Sequence, residues 1–223
     1  MNLHRYPDRE MMMLRLADRL AGELGDFLRR HERVSLAVPG GTTPGPVFDV
    51  LSDLRIAWER VTVLPTDERW VDPDSPRSNA RLIRERLLTG PAAAAGFVSL
   101  ASAEPTPEAA LPDLIAAVTP HLPLTVLLLG MGEDGHVASL FPGADRLAEA
   151  LDDAAPPVMA LSAPGAPEPR ISLTAPVLTG ALSVHLLITG PAKRAALEAA
   201  ANARPEAAPV RLVLDQAMIH WAE

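Results

Sequence analysis

The residues best suited to do chemistry in this chain are an acid and an imidazole separated by one glycine, Asp134-Gly135-His136. They close the segment Gly130-Met131-Gly132-Glu133-Asp134-Gly135-His136, which follows an apolar run at 124–129. Glycines at a strand end allow a tight turn with little side-chain crowding, so both groups can face a ligand. Histidine titrates at about pH 6.5 in its ordinary state, which suits a general base at neutral pH. The competing reading is a histidine that merely caps a helix starting near Val137. Gly130-x-Gly132-x-x-Gly135 also spells the dinucleotide fingerprint, but its context does not. That motif needs a full helix after the third glycine, then a strand ending in an acid about 20 residues on. Pro142 interrupts any helix here, and Asp152 and Asp153 precede the next apolar run instead of following it. No nicotinamide, flavin or other cofactor is expected.

Two further clusters carry charge or donors at the ends of apolar segments, and two single cations stand apart from them. Gly40-Gly41-Thr42-Thr43 follows the run at 34–38. Glycines there let backbone approach a ligand, and a following helix start offers free N–H groups and a positive dipole end. That suits a phosphate; a tight turn with a threonine cap fits as well. It is no Walker loop, since no Gly-Lys-Ser/Thr follows. Asp67-Glu68-Arg69-Trp70 sets three charges at another strand end, and by itself reads as a solvated turn with a weak Arg–carboxylate pair. Arg170 opens an apolar strand. Lys193 falls in the first turn of a helix after Thr189-Gly190-Pro191, against the helix dipole, which makes sense if it faces an anion and is otherwise a surface lysine.

Other chemistries drop out. The chain has no cysteine, hence no thiol nucleophile, disulfide or thiolate metal site. There is no Gly-x-Ser-x-Gly elbow and no His-Glu-x-x-His, and no cluster has metal-ligand spacing, so no metal is expected. A hydrolase of this composition would use water as its nucleophile. His4, His31, His121, His185 and His220 lack a comparable setting and read as structural or surface residues.

The elements that must position these groups follow from periodicity. Leu14, Ala17, Ala21, Leu24 and Leu28 recur at helical spacing ahead of a short apolar strand at 34–38. Helices are predicted at about 46–54, 79–88 and 192–201. Strands are predicted at 61–64, 124–129, 158–161, 171–173, 184–188 and 212–214. Apolar strands alternating with helices imply an α/β fold, a mainly parallel sheet with helices on both faces. The alanine- and proline-rich stretches at 92–112 and 156–169 read as loops, leaving one domain over 1–223. In such a sheet ligands collect at the carboxyl ends of the strands, so the polar loops should converge on one rim. With 48% hydrophobic residues a sizeable core is available. A net charge of −8 disfavours nucleic acid and anionic membrane as partners, so an anionic ligand needs a locally positive pocket. The amino terminus lacks the apolar core of a signal peptide and no run reaches a membrane-spanning length, which predicts a cytoplasmic protein. No long exposed apolar stripe is evident, which predicts a monomer.

Gly-Gly-Thr-Thr-Pro at 40–44, Asp-Glu-Arg-Trp at 67–70, Ser-Asn at 78–79 and Gly-Met-Gly-Glu-Asp-Gly-His-Val-Ala-Ser-Leu-Phe-Pro at 130–142 together resemble the 6-phosphogluconolactonases. Arg-Ile-Ser-Leu-Thr at 170–174, Gly-Pro-Ala-Lys at 190–193 and Asp215 extend the resemblance over nearly the whole chain, in order. It implies a Rossmann-like α/β fold shared with glucosamine-6-phosphate deaminases. It also implies hydrolysis of 6-phosphoglucono-δ-lactone in the oxidative pentose phosphate pathway, without metal or organic cofactor. On this resemblance His136 is the acid/base, with Asp67 and Asp134 beside it. Gly41, Thr42, Thr43, Arg170 and Lys193 surround the phosphate, Gly40 and Asn79 touch substrate, and Arg69 binds substrate or holds the acids. The deaminases carry a glutamate shortly after Asp-Gly-His; here Ser139-Leu140-Phe141-Pro142 has no carboxylate, which favours the lactonase. A non-catalytic sugar-phosphate sensor would need an added DNA-binding segment, which the single helix before residue 34 cannot supply.

Overall fold

A computed structural model describes residues 1–223. In chain order the strands are β1 (Asn2–Arg5), β2 (Val34–Val38), β3 (Val61–Pro65), β4 (Asp67–Arg69), β5 (Gly96–Phe97), β6 (Val126–Gly130), β7 (Val158–Leu161), β8 (Arg170–Leu173), β9 (Ser183–Thr189) and β10 (Met218–Ala222). The helices are α1 (Arg9–Leu28), α2 (Gly45–Ser52), α3 (Asn79–Arg86), α4 (Pro107–Val118), α5 (Leu147–Leu151), α6 (Ala175–Thr179) and α7 (Gly190–Ala200).

Seven strands form one sheet in the order β1-β10-β9-β6-β2-β3-β5, every pair parallel. From β2 the chain winds outward to β3 and β5; from β6 it winds the other way to β9 and β10. The direction reverses between β2 and β6, and a crevice opens beyond their carboxyl ends at such a switch point. Residues along one strand point to opposite faces. Leu36, Val38, Val126 and Leu128 join a core with α1, α2 and α3, while Ala37, Leu127 and Leu129 join a second core with α4 and α7. Both faces of the sheet are therefore covered, and every residue of β2 is buried.

β4, β8 and β7 form a separate antiparallel sheet of three strands. β7 and β8 are as buried as the strands of the main sheet, so periodicity alone cannot assign them to a different layer, and β4, made of Asp67, Glu68 and Arg69, has no apolar signal at all. Other expectations change too. The buried face of α1 is Met12, Met13, Leu16, Ala17, Leu20, Leu24 and Leu28, whereas Leu14 is exposed; the apolar run at its start fits two helical phases, and packing on the sheet selects one. Residues 212–214 are not a strand. Pro209–Leu212 is a 3-10 turn, and the last strand, β10, lies further on. The stretch at 92–112 is only partly loop, because Thr106 caps α4 through the Ala109 N–H at 3.3 Å and Pro107 suits the first helical position.

His185 and His220, read as structural, are buried in a polar chain between β9, β10, β1 and α1. Tyr6 Oη lies 2.8 Å from His220 Nδ1, His220 Nε2 lies 3.1 Å from His185 Nδ1, and His185 Nε2 lies 2.9 Å from a Glu23 carboxylate oxygen. Ser183 Oγ donates to the same Glu23 oxygen at 2.6 Å. Burial disfavours the Glu23 carboxylate, but the hydrogen bonds from His185 and Ser183 outweigh it and hold its pKa down to about 2.

Candidate active site

β6 delivers Gly130 to the crevice, and the next six residues form a loop closed on itself. Gly132 N–H donates to the His136 carbonyl at 2.9 Å and Gly135 N–H to the Gly132 carbonyl at 3.1 Å. Asp134 Oδ1 accepts the His136 backbone N–H at 3.1 Å and lies 2.6 Å from His136 Nδ1. A carboxylate can only accept, so the proton of the neutral ring sits on Nδ1 and Nε2 keeps its lone pair. A Cβ at position 132 would overlap both the imidazole and the Asp134 carboxylate, so this turn requires glycine there. No helix starts near Val137. Val137 and Leu140 form an isolated antiparallel bridge, and the next helix is α5, so the helix-capping reading of His136 does not hold.

A cavity of about 410 Å³ lies over the switch point. Of the residues singled out in the sequence, Gly40, Gly41, Thr42, Thr43, Asp67, Arg69, Asn79, His136, Arg170 and Lys193 line it. Asp134 sits behind His136 as its hydrogen-bond partner. Asp215 is elsewhere, paired on the surface with Arg211 at 2.9 Å.

The 40–43 loop is not a threonine-capped turn: the N-cap of α2 is Pro44, with no side-chain cap bond. The backbone N–H groups of Gly41, Thr42 and Thr43 donate to no backbone acceptor and remain available at the cavity wall. A Cβ on Gly40 would collide with the Asn79 amide, so glycine here lets β2 and α3 meet. Lys193 reaches from the first turn of α7 to the Met131 carbonyl at the end of β6, which places its ammonium in the cavity.

Asp67-Glu68-Arg69 is not a solvated turn but the strand β4. Arg69 pairs with neither acid; its Nη1 donates to the Arg77 carbonyl at 2.7 Å. Glu68 is fully buried and accepts the N–H groups of Arg69, Asn79 and Ala80 at 2.9, 2.7 and 2.7 Å and the Ser78 hydroxyl at 3.1 Å. Burial pushes its pKa up and those hydrogen bonds oppose the rise. Asp67 accepts the Ser139 hydroxyl at 2.6 Å and the Thr66 hydroxyl at 3.0 Å. The acid that contacts His136 is therefore Asp134, and Asp67 has its own support.

Arg69 and Arg170 are cross-strand partners, so their side chains leave the small sheet on the same face. The Nε of each is buried and has no protein acceptor. Burial pulls the pKa of Arg170 down, with Asp67 opposing. Two guanidinium groups lacking a carboxylate partner, with a lysine across the cavity, make the locally positive pocket that an acidic protein needs to hold an anion. Sequence reasoning missed Ser139 as the hydroxyl on Asp67, Glu68 as the brace of α3 and Phe141 as the ring against His136, although all three lie in quoted motifs.

A parallel sheet with a polar, cation-lined crevice at its switch point and an imidazole at its wall defines an anion-binding α/β protein of the Rossmann-like class. The sequence matches the family described as glucosamine-6-phosphate isomerases/6-phosphogluconolactonase over residues 7–221, and the chain belongs to that family. A 6-phosphogluconolactonase of Mesorhizobium japonicum is 43% identical over 99% of this chain and 95% of its own length. One of Rhizobium meliloti is 41% identical over 99% of this chain and 98% of its own length. The crystal structure of a 6-phosphogluconolactonase from Shewanella baltica superposes with a TM-score of 0.96 at 31% identity, covering 100% of this chain and 97% of that one. A monomeric glucosamine-6-phosphate deaminase, 15% identical with a TM-score of 0.80, shares the fold.

Proposed function

We propose that this chain hydrolyses 6-phosphoglucono-δ-lactone to 6-phosphogluconate in the oxidative pentose phosphate pathway, with water as the nucleophile. The carrying observation is the 2.6 Å Asp134–His136 contact. In the neutral ring it puts the proton on Nδ1 and turns the Nε2 lone pair toward a cavity that also holds Arg170 and Lys193. A δ-lactone is an activated ester, so a covalent enzyme intermediate is unnecessary. General-base assistance of about 10²- to 10⁴-fold with a well-placed water is sufficient.

His136 Nε2 takes a proton from water as the oxygen attacks C1, and the carbonyl oxygen becomes the oxyanion of a tetrahedral intermediate. The same proton then passes to the ring oxygen as the C1–O bond breaks, giving the carboxylic acid and the chain hydroxyl. Asp134 holds the ring and stabilises the transient imidazolium. Gly132 and Gly135 already use their N–H groups inside the loop, so Arg69 is the donor assigned to the oxyanion. The phosphate lies among Arg170, Lys193 and the Gly41–Thr43 amides and hydroxyls, with Gly40 giving room for the Asn79 amide beside it. Asp67 and Asn79 take substrate hydroxyls: Asn79 Oδ1 is buried without a partner, and its Nδ2 is anchored on the Asp67 carbonyl at 2.8 Å.

The ring beside His136 is the apolar Phe141, and the glutamate that a deaminase carries shortly after its Asp-Gly-His has no counterpart in Ser139-Leu140-Phe141-Pro142. No helix is long and apolar enough to cross a membrane, and the exposed large apolar residues Met1, Met11, Leu14 and Leu182 are few. Both facts support a monomer acting in the cytoplasm. The test is freshly made lactone supplied to the purified protein, with product read as coupled NADPH formation and glucosamine 6-phosphate run alongside. Lactone consumption no faster than its spontaneous hydrolysis removes the assignment.

A further inference from the structure

His136 and Arg170 serve opposite ends of the proposed substrate, yet one side chain touches both. The Phe141 ring centroid lies 4.0 Å from that of the His136 imidazole, tilted by 37°. The Arg170 guanidinium carbon lies 5.7 Å from the same Phe141 centroid, over the ring. The backbone that presents Phe141 is tightly determined. Val137 and Leu140, fully buried, are bridged to one another; Ala138 between them adopts a left-handed φ of 50°; and the Phe141 carbonyl accepts the Ala144 N–H at 3.0 Å. The ring is therefore a fixed wall of the cavity.

Neither polar group is fixed without it. Asp134 grips His136 through Nδ1 alone, and one hydrogen bond leaves the imidazole plane free to tilt about that contact; a face against an aromatic ring removes the tilt. Arg170 has no carboxylate hydrogen bond, and its Nε has no acceptor. Its guanidinium lies over the negative face of Phe141, while Asp67 favours its charge without hydrogen-bonding to it. We propose that Phe141 is a positioning residue, which aims His136 Nε2 at the attacking water and holds the Arg170 guanidinium at the anion end through a single ring. This inference rests on the lactonase reading for its kinetic consequences, but not for its geometry.

The test is Phe141→Leu, which keeps apolar volume and loses the aromatic face, made in the wild type and in a His136→Ala background. In the wild type kcat is expected to fall about tenfold, as misorientation of a catalytic base does. The Kd of 6-phosphogluconate should rise several-fold, with little change in melting temperature. In the His136→Ala background the further loss in kcat should be under about twofold, because a residue acting through another has nothing left to position. Phe141→Tyr, which keeps the ring, should retain wild-type kcat within about threefold. Independently of turnover, the ring-proton resonances of His136, identified by their loss in His136→Ala, should move downfield in Phe141→Leu as the aromatic shielding disappears. An equal kcat loss in both backgrounds, failure of the tyrosine variant, or unmoved His136 resonances overturns the proposal; unchanged product affinity overturns its Arg170 half. If the wild type shows no lactonase activity, the functional reading fails while the resonances still decide the placement of the ring.

Discussion

Lowering the pH from 7 to 5 should destabilise this protein through one residue remote from the cavity, His220. It is fully buried on β10. Burial above all, and then the positive charges of His185, His4 and Arg19, hold its pKa down to about 3 from 6.5, with Glu23 opposing. Around it stand His4 from β1 and Tyr6 just after it, Arg19 and Glu23 from α1, and His185 and Ser183 from β9. Below pH 6.5 the unfolded chain binds a proton at this imidazole and the folded chain does not, until the pH approaches 3. The depressed folded pKa thus removes stability as pH falls through that window. At pH 5 the separation is about 1.5 units, and at about 1.36 kcal/mol per unit the loss is about 2 kcal/mol. For a chain of this length that corresponds to a fall of about 4–8 °C in Tm. The assay is urea or thermal unfolding of the wild type and His220→Gln at pH 7, 6 and 5. The variant starts less stable, since Tyr6 and His185 lose a well-shaped partner, but its stability should decline less between pH 7 and 5. His121, depressed by burial and by Arg33, acts in the same direction, and Glu68, raised by burial, acts in the opposite one. Both are present in each protein and cancel in the comparison. Parallel pH curves for the two proteins would refute the reasoning.

Three further outcomes concern the cavity. His136→Ala should lower kcat by about two or more orders of magnitude with little change in KM, and near-normal turnover removes His136 from the mechanism. Arg170→Ala and Lys193→Ala should each weaken 6-phosphogluconate binding by about tenfold or more, as loss of a charge-assisted hydrogen bond does, and undiminished affinity by calorimetry rules out their phosphate role. Gly132→Ala should cut kcat about as severely as loss of Asp134, because its Cβ occupies the space of the Asp134–His136 contact; a crystal structure with that contact intact and full activity would contradict this.

What the amino-acid order determines by itself is local. Runs such as 34–38 and 184–188 carry one polar residue each, Ser35 and His185, and no polar alternation, because both faces of their strands are covered; that pattern announces a buried parallel sheet. Gly130 to His136 announces a tight loop because only glycine permits its close approaches. β1 was not legible, since an edge strand of mixed residues lacks alternation, and α4 hid behind its prolines. Partners across long separations were not legible either. Nothing near Asp67 in the chain says that Ser139 will hold it or that Arg69 will leave both adjacent acids unpaired. Those choices are settled when β4 pairs with β8 and β2 comes to lie beside β6, because a hydrogen bond depends on distance and angle in space and not on separation along the chain.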